Sequence, residues 1–281
     1  MKIVEFDLSQ QTDTRHFLSA RSVLTEFADL EKMYKAIGII VAHEQQVKDG
    51  SVNEVEAKLL EITDNAQIHR LAEIKPAHAI NMRDKGCVEI VKELFDNLPT
   101  WKKTFVLRHE FCHLLLQPKD SPSLQTLSER YSRDWLHEIL SRVREYQVHR
   151  YMIERYFDDW IREPVRISET VGSPRNTYRG LRKRKGVKYA LSVALSNTTL
   201  VLSFVYLTEF LLESKKTPQS IRALFEADLK RYNMNQNSWQ LCIQKDTGRY
   251  LSARKWLPKE CFEDEELFFR RFAEMVKLID L

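Results

Sequence analysis

The segment from Thr100 to Leu116, TWKKTFVLRHEFCHLLL, lies between Pro99 and Pro118 and is apolar on nearly every side of a helical projection. Proline suits the first turn of a helix and cannot continue one, so these two prolines bracket the helix. A helix of this composition has to be buried. In its second half stand His109, Glu110 and His113, and burying two imidazoles and a carboxylate is costly unless they are paired or bound to an ion. Any fold of this chain must enclose the helix and satisfy those three groups together.

The remaining sequence suits a mainly helical enclosure. Only 7 Gly and 8 Pro punctuate 281 residues, which favours long helices over many short strands joined by tight turns. The start, MKIVEFDLSQQTDTRHF, reads as a short apolar strand followed by polar residues. Helical periodicity then runs through Phe17, Val23, Leu24, Phe27, Leu30 and Met33, and again from Val55 through Leu59, Leu60 and Ile68. Two extended runs, Ile74 to Met82 and Cys87 to Val91, are separated by Arg83-Asp84-Lys85-Gly86, which has hairpin-turn chemistry. After the bracketed helix, Lys119 to Gln125 reads as a loop. A long amphipathic helix follows from about Thr126, with Trp135, Leu136, Ile139, Val143, Tyr146, Ile153 and Phe157 on its apolar side. The expected class is α+β, predominantly helical, with a small antiparallel sheet and extra helices.

Charge and cysteine usage narrow the setting. Lys and Arg number 44 against 40 Asp and Glu, a net charge of +4, too mild by itself to imply nucleic acid. Cys87, Cys112, Cys242 and Cys261 are scattered without C-x-x-C spacing, as expected of reduced thiols in an intracellular protein. The first residues lack the pattern of a signal peptide, so a cytoplasmic location is expected.

The five residues His109-Glu110-Phe111-Cys112-His113 match H-E-x-x-H. Residues four apart on a helix lie one turn apart on the same face, so both imidazoles can reach one ion while the adjacent Glu points toward a bound water. The plainer reading is a pair of core histidines joined by hydrogen bonds. Cys112, three residues after His109, points off the ligand direction and reads as a small buried core residue. His16, His43, His69 and His78 show no spacing with one another and read as ordinary.

The stretch from Cys87 to Leu116 resembles the edge strand, connecting turn and active-site helix of gluzincin-type zinc metallopeptidases. The resemblance covers about a tenth of the chain and implies a zincin-like catalytic core. It also implies a third ligand, a Glu on the next long helix, with an acidic residue four positions later supporting a ligand imidazole. The best match is Glu145-Tyr146-Gln147-Val148-His149, which gives His109, His113 and Glu145 as zinc ligands, with Glu138, His137 and His149 as rivals for the third place. His149 stands where that family usually has Asp, and orienting a ligand, donating to the transition state and binding the ion directly all remain open to it. Glu110 is then the general base and His149 a second catalytic candidate, with Tyr151 and Tyr156 as further oxyanion donors. Two imidazoles and a carboxylate also accept other divalent ions.

From Pro164 to Lys188 the composition turns basic, with Arg175, Arg179, Arg182, Lys183, Arg184, Lys185 and Lys188. This run reads as a solvated linker or loop, and no recognised nucleic-acid motif accompanies it, so nucleic acid is not expected as a partner. Tyr189 to Thr208 is about long enough to span a bilayer, but Asn197-Thr198-Thr199 at its centre favours a buried helix. The expected organisation is an N-terminal α+β region over 1–74, the zincin-like core over 75–163, the basic linker over 164–188 and a helical region over 189–281. The expected function is zinc-dependent hydrolysis of a peptide or protein substrate. The alternative is a non-catalytic protein on the same scaffold, acting on nucleic acid or a membrane surface through its basic segment.

Overall fold

Ala36–Ala42, AIGIIVA, forms the strand on which the first half of the chain is built. All but its first residue are buried, as expected of a parallel strand covered on both faces. In the computed structural model this strand, β2, sits between β1 (Lys2–Asp7) and β4 (Lys85–Val91), parallel to both, and β3 (Ala77–Met82) pairs antiparallel with β4 at the edge. The structure describes all residues except 11–13, 62–73, 83, 117–120, 163–173, 251 and 279–281. Ile68, His69, Pro118 and the first part of the basic segment, 164–173, therefore lie outside the described residues.

Two units emerge, residues 1–117 with 151–163, and residues 118–150 with 164–281. The first contains the sheet and the helices α1 (Arg15–Leu24), α2 (Leu30–Met33), α3 (Glu44–Lys48), α4 (Ser51–Leu60), α5 (Lys92–Asp96) and α6 (Thr100–Leu115). Residues Ile40, Ala42, Cys87 and Val91 pack with Val47 of α3 and with Val52 and Leu60 of α4. The opposite sheet face carries α6. Gly86 of β4 lies under that helix, where a Cβ atom would stand 3.0 Å from the Tyr34 ring and 3.1 Å from Leu114. Tyr34 also donates its hydroxyl to the Leu114 carbonyl at 2.8 Å.

The expected antiparallel pair is present as β3 and β4, and the parallel pairing of β1, β2 and β4 makes the whole sheet mixed. Lys85 and Gly86, expected in the turn, are the first residues of β4, opposite Met82 and Asn81. The strands expected in the N-terminal region and in the core region belong to one sheet, because parallel pairing joins segments far apart in sequence and leaves no local signature.

In the second unit α7 (Pro122–Ser128) replaces much of the expected loop, with the Ser121 hydroxyl accepting from the Leu124 N–H at 3.1 Å. The long helix α8 (Arg133–Arg155) begins after a break, and its final residues, from Tyr151, return to the first unit with α9 (Phe157–Trp160). Four more helices follow: α10 (Pro174–Lys185), α11 (Val187–Glu213), α12 (Gln219–Thr247) and α13 (Ala253–Trp256). A 3-10 turn (Lys259–Glu263) leads into α14 (Glu265–Leu278).

The latter half of the basic segment is therefore helical, as α10. Among the described residues, α11 is one helix long and apolar enough to cross a bilayer by length and composition, and most of it is buried within the protein. Its central polar residues are accommodated locally. Asn197 donates to the Val193 carbonyl at 2.9 Å, Thr198 to Ala194 at 2.7 Å and Thr199 to Leu195 at 3.1 Å, so each of these three side chains bonds a carbonyl of its own helix.

Replacing Gly86 by Val should force Leu114 and the Tyr34 ring away from β4. Urea unfolding is expected to show a loss of about 1–3 kcal/mol, and an unchanged midpoint would contradict the close approach of α6 to the sheet.

Candidate metal centre

Helix α6 enters the first unit as a largely enclosed element. Leu107, Glu110, Phe111, Cys112 and Leu114 are buried, and no residue from Trp101 to Leu116 is exposed. Arg108 secures its middle. The guanidinium pairs with Glu26 through two bonds of 2.8 Å, bonds Asp159 and lies 4.4 Å from the centre of the Tyr156 ring. Phe27 packs against both Phe111 and Tyr156.

With the helix fixed in this way, His109 and His113 turn their Nε2 atoms toward each other at 3.1 Å, with the rings edge to face. Two nitrogen ligands of one tetrahedral zinc, each at about 2.0–2.1 Å, stand about 3.3 Å apart. The observed separation therefore suits a shared ion as well as it suits a hydrogen bond between neutral rings. Glu110 is buried, and its Oε2 accepts from the Ala79 N–H at 2.8 Å. Ala79 belongs to edge strand β3, so this bond fixes the carboxylate plane against the strand.

Cys112 takes no part. It is fully buried with Sγ 3.6 Å from the Met152 sulfur, and burial, followed by the neighbouring Glu110 charge, pushes its thiol well above the usual range. The same contact anchors the end of α8 on α6. Glu145 and His149 precede Met152 by seven and three residues on this continuous helix, hence on the same side of it.

Burial deepens along the polar stripe of α8. Glu138, 50% exposed, pairs with Arg142 at 3.7 Å, whereas Glu145 is 28% and His149 only 9% exposed. His149 Nε2 stands 3.6 Å from Glu145 Oε2. Among the described residues, His109, His113 and Glu145 form a group able to hold a metal ion, with one ligand atom from each within 4.8 Å of the others. Exposed His137 and the solvated Glu138 are outside this group.

The other candidates have separate engagements. The Tyr156 hydroxyl bonds Glu26, and burial, together with that carboxylate, holds its pKa above the usual tyrosine value. Tyr151 is likewise raised, mainly by burial, and lies against Arg155. His16 bonds Asp96 at 2.8 Å, His43 pairs with Glu93, and His78 lies opposite Glu89 in the β3–β4 register. The bond from Ala79 to Glu110 had no sequence signal, since it depends on which strand forms the sheet edge.

Comparison with protein-family models, with curated proteins and with solved structures finds no match to this chain.

The Ala79 bond separates two substitutions of Glu110. Glu110→Gln keeps an acceptor for the N–H and should leave the thermal midpoint nearly unchanged. Glu110→Leu removes it and should cost about 1–2 kcal/mol, so equal stability of the two variants in urea titration would argue against this bond.

Proposed function

We propose that the chain is a zinc-dependent peptidase of gluzincin type, in which His109, His113 and Glu145 hold the ion and Glu110 is the general base. The observation that carries the reading is the grouping of three ligand side chains from α6 and α8, two imidazoles and one carboxylate; Glu110 follows His109 on α6, with its carboxylate held by Ala79. This donor set suits zinc and leaves one coordination position open for water. Zinc, once bound, lowers the pKa of that water and polarises the scissile carbonyl.

The remaining roles belong to the chain. Glu110, oriented through one carboxylate oxygen by Ala79, would take the proton of the attacking water on its other oxygen and return it to the leaving amine. Glu145 supplies the negative charge that a pair of neutral imidazoles lacks. His149, beside Glu145 and nearly buried, is assigned to orienting that carboxylate, with donation to the oxyanion as a second capability. Cys112 serves packing, consistent with its contact to Met152.

Two variants test the assignment together. Protein purified without chelator should contain about one zinc per chain, and Glu145→Ala should retain at least about tenfold less at equal free zinc. Glu110→Gln should keep the zinc while losing at least a hundredfold in cleavage of a peptide library. Absence of zinc, or cleavage independent of Glu110, would overturn the reading.

A further inference from the structure

The basic segment changes character once it is seen as helix α10. Its apolar side is already used, with Pro174 and Tyr178 buried and Leu181 half-buried. The Tyr178 hydroxyl donates to Asp246 of α12 at 2.8 Å, and Arg182 pairs with the same carboxylate at 2.9 Å. These two bonds fix which side of α10 faces outward. Arg175, Arg179 and Lys183 then form one exposed row at four-residue spacing, about 6 Å apart along the helix axis. Asn176, Thr177 and Arg184 are exposed beside them.

No acidic residue occurs from Pro174 to Ala190. Of the seven cations from Arg175 to Lys188, only Arg182 has an acidic partner among the described residues. The whole chain carries a net charge of +4, so the residues outside this segment are together net negative. Positive charge is therefore concentrated on one helix instead of being spread over a basic surface.

The partner that fits is set by what this face lacks as well as by what it carries. A helix lying in a bilayer interface presents an apolar side to the lipid, and the apolar side of α10 is spent on packing. Only Val187 and Tyr189, just beyond it, expose large apolar side chains. The outward face instead offers Arg, Lys, Asn and Thr, the side chains that contact phosphates and the groove edges of a duplex.

We propose that α10 is a nucleic-acid-binding surface on which Arg175, Arg179 and Lys183 grip the phosphate backbone of a duplex without reading its sequence. The surface lies wholly within the second unit and does not depend on the metal centre.

The test uses the full chain and labelled duplexes of roughly 20 base pairs, one DNA and one RNA, followed by fluorescence anisotropy between about 50 and 200 mM KCl. Affinity should fall with salt with a log–log slope of about −3 or steeper. The triple variant Arg175→Gln, Arg179→Gln, Lys183→Gln should bind at least about tenfold more weakly, with the slope reduced by about 3, and Arg179→Gln alone should reduce it by about 1. Lys215→Gln with Lys216→Gln, two exposed cations between α11 and α12, should change affinity less than about threefold. Equal thermal midpoints for all variants exclude unfolding as the cause, and a preference between the two duplexes identifies which nucleic acid is bound. Salt-insensitive or absent binding to both duplexes would overturn the proposal. So would wild-type affinity in the triple variant, or stronger binding to phosphatidylserine-containing vesicles than to either duplex.

Discussion

Helix α6 is apolar enough to demand burial and carries, through its second half, groups that resist it. The structure meets both requirements through the contact of this helix with the sheet. Gly86 lets Leu114 and the Tyr34 ring come close to β4, and the edge strand supplies the Ala79 N–H to the Glu110 carboxylate. Arg108, with its two acidic partners and the Tyr156 ring, prevents the helix from turning about its axis. A rotation of even one residue position, about 100°, would carry the His pair away from its present direction and point Arg108 inward.

The second unit is held by a different economy of forces. Aromatic side chains dominate, with Phe262, Phe268, Phe269 and Phe272 in edge and stacked contacts and Tyr146 of α8 against Phe262. Gln147 donates to the Phe262 carbonyl at 3.1 Å and Arg144 pairs with Glu265 at 3.1 Å. The residues that flank Glu145 on α8 are therefore tied down, so a carboxylate at this position has a defined direction. A side chain on a rigid helix is held more closely than one on a loop.

How much of this is legible in the sequence depends on where each signal resides. The H-E-x-x-H helix, the first strand and the strand pair before α6 carry their own patterns, so they were visible. Strand β2 was not, because AIGIIVA is buried on both faces and a short apolar run of that kind has no period to distinguish strand from helix. Helix α10 was hidden by its density of charge. Its apolar contacts, Tyr178 and Leu181, are too few to produce a visible stripe, and its orientation is set by Asp246, more than sixty residues away. For the candidate metal centre, the spacing of His109 and His113 is local, whereas the rise in burial from Glu138 to His149 is a tertiary property that separates Glu145 from a solvated salt-bridge stripe. That His149 lies one turn beyond Glu145 is legible in the spacing, but its near-complete burial is not.

In the proposed centre, α6 and α8 offer two imidazoles and one carboxylate to a single ion, with sulfur excluded. X-ray absorption at the zinc edge of the zinc-loaded protein measures this directly. The expected first coordination shell is nitrogen and oxygen at about 2.0–2.1 Å, with the outer scattering of two imidazole rings and no sulfur. A sulfur scatterer at about 2.3 Å, or a spectrum with only one imidazole, would contradict it.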